Sequence, residues 1–110
     1  MELLVIILNK VEYMSDVLQL LVEAEIVNAT ILDSEGIGHY LAYEVPVFAG
    51  LRTLIGDKNE HNKTILALVK KKKSLEEFKR LIKKEKIDFA KQGMGIMFTV
   101  PLKSVLTEKK

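Results

Sequence analysis

A strand-helix-strand pattern occurs twice in this chain of 110 residues, and the repetition limits the folds open to it. Residues 3–8 are an unbroken apolar run of strand length, and residues 14–24 carry apolar side chains at helical spacing. Residues 26–32 contain several β-branched side chains and predict the next strand. The second copy consists of a predicted strand at residues 63–69, a helix at residues 74–85 and a strand at residues 96–100, which Pro101 ends.

Two such units predict an α+β, ferredoxin-like βαββαβ fold, in which an antiparallel sheet carries two helices on one face. We expect residues 1–110 to form one domain, with a long loop at residues 39–62 between the second and third strands. Apolar residues between Pro46 and Gly56 are spaced like one short amphipathic helix within that loop. Asn9 with Glu12, and Ser74 with Glu77, match the capping box that begins a helix.

Two helices on one face would leave the other face of the sheet without a cover from this chain. The predicted strands are nevertheless apolar on both faces at their centres. Because large exposed apolar surfaces are uncommon on monomers, we expect a homo-oligomer in which the sheets of several subunits pack together.

Composition excludes several classes of protein. The chain has no cysteine, so neither a disulfide framework nor a thiolate metal site is possible. The longest apolar run has six residues, far below the roughly 20 that span a bilayer. Glu2 stands where a signal peptide would carry a basic residue. We therefore expect a cytoplasmic protein.

Charge is distributed unevenly along the chain. Residues 1–69 carry 4 Lys or Arg against 10 Asp or Glu, a net charge of −6, while residues 70–91 carry 10 against 4, a net charge of +6. The basic excess lies on the solvent side of the second predicted helix, and no aromatic residues are interleaved with it for base stacking. We expect no nucleic-acid partner.

Few side chains suggest chemistry. No pair of acidic residues is placed to act as a general acid and base, so no catalytic residue and no enzyme activity are expected. His39 and His61 lie in polar loop sequence without a spaced carboxylate partner, so no metal site is expected. Arg52 could hold a phosphate or carboxylate, or pair with a nearby Glu.

Two Gly-X-Gly segments flank predicted strands. The first, residues 36–38, ends the second strand, and the other, residues 93–95, precedes the fourth. The first lacks the third glycine and the helix start of a dinucleotide-binding fingerprint, which excludes that class of site. Glycine at such positions serves a turn, a bulge or the close approach of a ligand to the main chain.

With these segments the chain resembles the PII signalling proteins. Residues 30–38 look like the second PII strand, which runs into a Gly-Phe-Gly segment at the base of the long T-loop. Residues 91–101 are similar to the PII stretch that contains Gly-Asp-Gly-Lys-Ile-Phe and then a strand. The order of elements matches over nearly the whole chain, as in a divergent member of the PII-like superfamily and not a true nitrogen-regulatory PII.

The resemblance implies a homotrimer that binds an adenine nucleotide in the clefts between subunits. It also implies that the loop at residues 39–62 engages a partner, such as a membrane transporter or an enzyme. Carried over by position, Thr30 would touch a base, and Gly36 and Gly38 would let the main chain of the loop approach the ligand. Gly93 and Gly95 would offer backbone N–H groups to phosphates.

The chain departs from the PII pattern at two phosphate-neutralising positions. Ile96 replaces a lysine and Thr107 replaces an arginine of PII proteins. Arg52, Lys63 or Lys91 could stand in, but the loss favours a less charged ligand such as AMP, ADP or a cyclic nucleotide. Tyr40 and Tyr43 do not match the PII segment with the modified tyrosine. Two alternatives stay open: a ligand-free structural or protein-interaction subunit of the same fold, and a trimeric metal-tolerance protein of the CutA type.

Overall fold

The structure, a computed structural model, describes residues 1–55 and 61–107. Its strands are β1 (Glu2–Leu8), β2 (Ala29–Ser34), β3 (Asn62–Val69) and β4 (Gly95–Pro101). Its α-helices are α1 (Met14–Glu23), α2 (Ile37–Glu44), α3 (Leu51–Ile55) and α4 (Lys72–Lys84), and short 3₁₀ helices lie at Val11–Tyr13 and Pro46–Phe48. Within the described residues, no helix is long and apolar enough to cross a membrane.

The four strands form one antiparallel sheet in the order β2-β3-β1-β4. The central strand β1 pairs with β3 on one side and with β4 on the other, so that Leu4 lies between Ala67 and Thr99. This order and direction are those of the ferredoxin-like arrangement, and the predicted fold is confirmed.

The core lies between one face of the sheet and the helices α1 and α4. Alternate residues of β1 point into it because successive side chains of a strand face opposite sides. The largest fully buried side chains are Leu4, Ile6, Leu8, Val17, Leu21, Ile65 and Phe78. The helical periodicity of the sequence thus predicted the buried face of both helices correctly.

The opposite face of the sheet, called here the bare face, carries a second apolar surface. In β4 the side chains of Ile96, Phe98 and Val100 are between 41% and 52% exposed. Phe98 lies beside Val5 of β1, and Val5 in turn lies beside Leu66 of β3. The apolar strip therefore crosses three strands. It is the surface from which the sequence predicted an oligomer, and the oligomer itself stays a prediction.

Helices α1 and α4 end in the same backbone motif. Glu25 and Lys86 take left-handed φ values of 64° and 61°. The next residues, Ile26 and Ile87, donate their N–H groups to the carbonyls of Leu21 and Ile82 at 2.8 and 3.1 Å, which is the Schellman pattern of helix ends. Ile26 is buried beneath the end of its helix. It therefore does not belong to β2, which begins at Ala29 and not at residue 26 as predicted.

Both predicted capping boxes are wrong. The side chain of Asn9 accepts a hydrogen bond from Asn62 Nδ2 at 3.2 Å, and α1 begins only after a 3₁₀ helix. Helix α4 begins at Lys72, so Ser74 lies inside its first turn and is buried. Neither helix has a side-chain cap. Asn9 is held by a distant partner, and Ser74 is held by tertiary packing.

The segment after β2 also differs from its prediction. One helix was expected between residues 45 and 55, but residues 35–55, called here the arm, contain α2, a 3₁₀ helix and α3. Val45 is extended, with φ −117° and ψ 108°, because the residue before a proline avoids the helical region, and this separates α2 from the 3₁₀ helix at Pro46. Gly56, expected to end the helix, lies outside the described residues.

Candidate functional site

The two glycine segments lie at the same end of the sheet, next to its opposite edge strands β2 and β4. Because neighbouring strands are antiparallel, β1 and β2 end where β3 and β4 begin. Leu8 pairs with both Lys63 and Gly95 there, and Ser34 pairs with Asn62. We call this the loop end of the sheet.

The glycine turn at residues 93–95 has a backbone that other residues rarely adopt. Gly93 has φ +84° and Gly95 has φ +140°. A Cβ on Gly95 would lie 2.1 Å from the carbonyl oxygen of Ile7, so no side chain fits there. Between them Met94 is buried, and its carbonyl accepts the N–H of Asn9 at 2.9 Å. The turn is therefore held firmly against the end of β1.

This turn leaves donors available. Among residues 1–55 and 61–107, no carbonyl accepts the backbone N–H of Gln92 or Gly93. The side chain of Lys10 passes over the turn, with Cε 3.9 Å from the position that a Cβ on Gly93 would take. Backbone donors beside an ammonium group are suited to an anion. Lys10 was not a predicted site residue, although its position directly after β1 and Asn9 would have placed it at the loop end.

The first glycine segment has a different structure. Gly36 precedes α2 with φ −72° and ψ 150°, values open to any residue. Gly38 lies inside the first turn of α2 and is not among the glycines with positive φ. Neither residue needs to be glycine for its backbone conformation, in contrast to what the similarity of the two segments suggested.

A polar cluster covers the ends of β2 and β3. The hydroxyl of Ser34 contacts the Asn62 side chain and lies 2.8 Å from Thr64 Oγ1. Ser34 has one proton to donate, so if it donates to Asn62 the hydroxyl of Thr64 must donate to Ser34. Asn62 in turn donates to Asn9, which ties β3 to the segment after β1.

Lys63, one of the predicted phosphate contacts, already has a partner. Its ammonium group donates a hydrogen bond to Asp33 across the β2–β3 ladder. This hydrogen bond and the charge of Lys63 hold the pKa of the Asp33 carboxyl below its ordinary value. Lys63 therefore brings little net positive charge to the loop end.

Arg52, the other predicted cation of the loop, connects two helices of the arm. Its Nε donates to the carbonyl of Ala42 at 2.9 Å, and its guanidinium carbon lies 4.7 Å from the centre of the Tyr43 ring. Ala42 is itself buried. Arg52 thus packs α3 against the end of α2, a structural role that the sequence did not indicate.

A row of rings continues from Arg52 towards the sheet. Tyr43 stacks on His39 with ring centres 4.7 Å apart, and His61 lies 5.4 Å beyond His39. The Nδ1 atom of His39 is 2.6 Å from a carboxylate oxygen of Glu35. The prediction that His39 has no carboxylate partner is wrong, and the four-residue spacing of Glu35, His39 and Tyr43 was the missed signal. In the described part of the chain, no three His, Asp or Glu side chains are grouped to hold a metal ion.

The structure therefore places only some of the predicted site residues at the same end of the sheet. Gly36, Lys63, Gly93 and Gly95 lie at the loop end, and Arg52 lies in the arm. Thr30 is exposed near the start of β2 and pairs with Leu66, on the bare face. Lys91 lines a groove beside α4.

No protein-family model matches the chain, and no curated protein matches it significantly. The resemblance to the PII-like superfamily therefore rests on the two glycine segments and the order of elements.

Proposed function

We propose that this protein is a PII-like regulatory protein that assembles as a homotrimer. It binds a small adenine nucleotide, or a related anion, where the loop end of one subunit meets a neighbour. The arm and the residues that follow it report the occupancy of this site to a partner, such as a membrane transporter or an enzyme.

The observation that carries this proposal is the turn at residues 93–95. Its N–H groups at Gln92 and Gly93, which no carbonyl of residues 1–55 and 61–107 accepts, lie next to Lys10, and the turn leads into the edge strand β4. A phosphate or carboxylate held there would contact main-chain donors whose positions the fold determines. The apolar strip of the bare face supports the second half of the proposal, because it offers a surface for other subunits.

Charge at the loop end favours a ligand with few negative charges. Lys63 is neutralised by Asp33, and Arg52 is occupied by Ala42 and Tyr43. Ile96 stands where PII proteins carry a lysine. Lys10 is the cation whose side chain the structure places over the turn, and Lys91 precedes the turn; this small number of available cations supports AMP, ADP or a cyclic nucleotide over ATP.

The arm is suited to a partner because it presents apolar side chains to solvent. Ile37 and Val47 are 79% and 82% exposed, and Tyr40 and Phe48 are exposed as well. These residues also favour the alternative function, a protein-interaction subunit that binds no nucleotide. No observation on the described residues favours a metal-tolerance protein of the CutA type.

A ligand screen with a matched pair of variants tests the proposal. The mass of the purified chain in solution is measured by light scattering, and AMP, ADP, ATP, cyclic mononucleotides and dinucleotides are screened by thermal shift and calorimetry. A ligand of the native state raises its stability by about 2.7 kcal/mol at a concentration of 100 Kd. We expect a trimer that is stabilised by one nucleotide, with binding weakened about tenfold in Lys10→Ala, the loss of one charge-assisted contact.

Lys103→Ala is the control, because Lys103 follows β4 at the opposite end of the sheet and is exposed. A trimer that ignores every nucleotide would support the interaction subunit instead. A monomer without ligands would contradict both readings, and equal losses of affinity in the two lysine variants would contradict the assignment of Lys10.

A further inference from the structure

The groove that Lys91 lines is on the helix side of the sheet, between the end of α4, residues 86–91 and the edge strand β4. Its volume is about 750 Å³, within the range of roughly 300–1,000 Å³ of small-molecule sites. The floor consists of Ile82 and Ile87, which are buried, and of Phe89 and Met97, which are half-buried at the edge of the core. It offers a flat apolar surface with an aromatic ring.

The rim of this groove is basic. Lys83, Lys86 and Lys91 line it, and in the described part of the chain none of them has an acidic partner. The one acidic residue of the lining is Asp88, whose carboxylate accepts the N–H of Ala90 at 2.9 Å. The groove therefore has a net charge of +2 from three lysines and one aspartate.

These lysines are not explained by the end of the helix alone. Cations near a helix C-terminus are favourable, but the last carbonyls of α4 already accept backbone N–H groups from Lys86 and Ile87. Lys84, on the neighbouring side of α4, lines a different depression together with Asp16, Glu23 and Glu85. The neighbouring residues Lys83 and Lys84 thus face different surroundings: Lys84 lies among several carboxylates, and Lys83 lies in a groove whose single carboxylate already accepts a hydrogen bond.

The backbone that shapes the groove is well defined. Lys86 is held in its left-handed conformation by the Schellman bonds, and Ile87 packs beneath the helix end. Lys91 donates its N–H to the carbonyl of Asp88 at 3.1 Å, and Met94 donates to Lys91 at 3.2 Å. A pocket formed before its ligand arrives loses less entropy on binding.

We propose that this groove binds a small aromatic anion, a molecule with a flat apolar ring and one or two negative charges. The ring lies on Phe89 and Met97, and the anionic group is held by the lysines of the rim. The proposal does not depend on the nucleotide site at the loop end, since the floor and Lys83 and Lys86 belong to no part of that site.

Two fluorescent probes of the same shape and different charge test it on the full chain. Anilinonaphthalene sulfonate is anionic, and N-phenylnaphthylamine is its uncharged counterpart. We expect the sulfonate to bind once per chain and more tightly than the neutral probe, with an affinity that falls as salt is raised. Phe89→Ser should weaken the binding of both probes, because both use the floor.

The lysines are tested by charge reversal. Glutamate is compatible with the backbone at position 86, because Glu25 occupies the same left-handed position at the end of α1. The double variant Lys83→Glu with Lys86→Glu should weaken the sulfonate about tenfold and change the neutral probe by less than about twofold. Lys91 is left unchanged because it is also a candidate of the nucleotide site.

Lys79→Glu is the control for a single charge reversal outside the groove, since Lys79 is exposed on α4 and does not line the groove. It should alter the binding of either probe by less than about twofold. The proposal is overturned if the sulfonate does not bind, or if Lys79→Glu weakens it as much as the double variant does. It is also overturned if Phe98→Ser on the bare face, and not Phe89→Ser, removes the binding.

Discussion

The two Gly-X-Gly segments are alike in sequence and opposite in structure. Gly36 and Gly38 lead into a helix with backbone angles that other residues share. Gly93 and Gly95 both have positive φ, and Gly95 lies against the carbonyl of Ile7. The difference arises from the surroundings of each segment. The second segment leads into β4 and packs against the end of β1, while the first continues into α2. A shared motif therefore does not imply a shared requirement for glycine.

The largest expected effect is that of Gly95→Ala. The new Cβ would meet the backbone of Ile7 at 2.1 Å and would also be strained at φ +140°. We expect a loss of about 3 kcal/mol in the free energy of unfolding, as for overpacking combined with backbone strain. Chemical denaturation measures it, with Gly50→Ala as the control, because a Cβ on Gly50 has nothing within 4 Å. A loss below about 1 kcal/mol would show that the turn can relax.

Gly93→Ala should have a smaller effect. Its Cβ would have space, with Lys10 Cε at 3.9 Å, so only the φ of +84° is unfavourable. The expected cost is about 1 kcal/mol, the penalty of a left-handed conformation for a residue with a Cβ. Gly36→Ala, the equivalent change in the first segment, carries no left-handed strain at φ −72° and should cost only about 0.5 kcal/mol, the difference between a glycine and an alanine N-cap. Similar losses at positions 36 and 93 would remove the contrast between the segments.

Gly38→Ala should stabilise the protein slightly. Glycine is unfavourable by roughly 0.5–1 kcal/mol relative to alanine in the middle of a helix, and a smaller gain is expected at Gly38 because it lies in the first turn of α2. Thermal denaturation should show a small rise in Tm, and the affinity for any nucleotide found in the screen should not change. Lower affinity with intact stability would indicate that the main chain at Gly38 approaches the ligand, as the PII resemblance implies.

The smallest effect concerns acid stability at the end of β2, where the first segment begins. Lys63 lowers the pKa of Asp33 in the folded protein, below the value of about 3.9 in the unfolded chain. The pair therefore contributes stability above that unfolded value, and the contribution is lost as the pH falls through the folded pKa. Because Asp33 is exposed, the contribution is small and weakens with salt. Comparing the acid unfolding of the protein with that of Asp33→Asn tests this, since the variant should lack this part of the pH dependence.

Much of the fold could be predicted because its signals are local. These signals are the apolar run of β1 and the apolar stripes of α1 and α4. Each involves only residues that are close together in the sequence. The same reasoning failed at the boundaries. Asn9 and Ser74 have the residue types of helix caps, yet Asn9 is bound by Asn62 and Ser74 is buried inside α4.

The candidate site was predicted less completely, for the same reason. Its glycines were found from their spacing, but their conformations depend on contacts between strands. The sequence identifies Lys63 as a cation. It does not show that Asp33 neutralises this cation, because Asp33 faces Lys63 only when β2 and β3 pair. Lys10 was missed because its proximity to Gly93 arises only when β1 pairs with β4, although its position directly after β1 places it at the loop end.

The sequence by itself determined the order of the four strands and of helices α1 and α4, the apolar face of these two helices, the absence of thiol chemistry and the existence of apolar surface on both sides of the sheet. These follow from residue type and short-range periodicity, which any local stretch of the chain carries. Only the tertiary structure decided which glycines are indispensable, which cations remain unpaired and which residues meet at the loop end. Those properties depend on contacts between residues far apart in the chain, such as Asn9 and Asn62, and on space that exists only once the strands have packed.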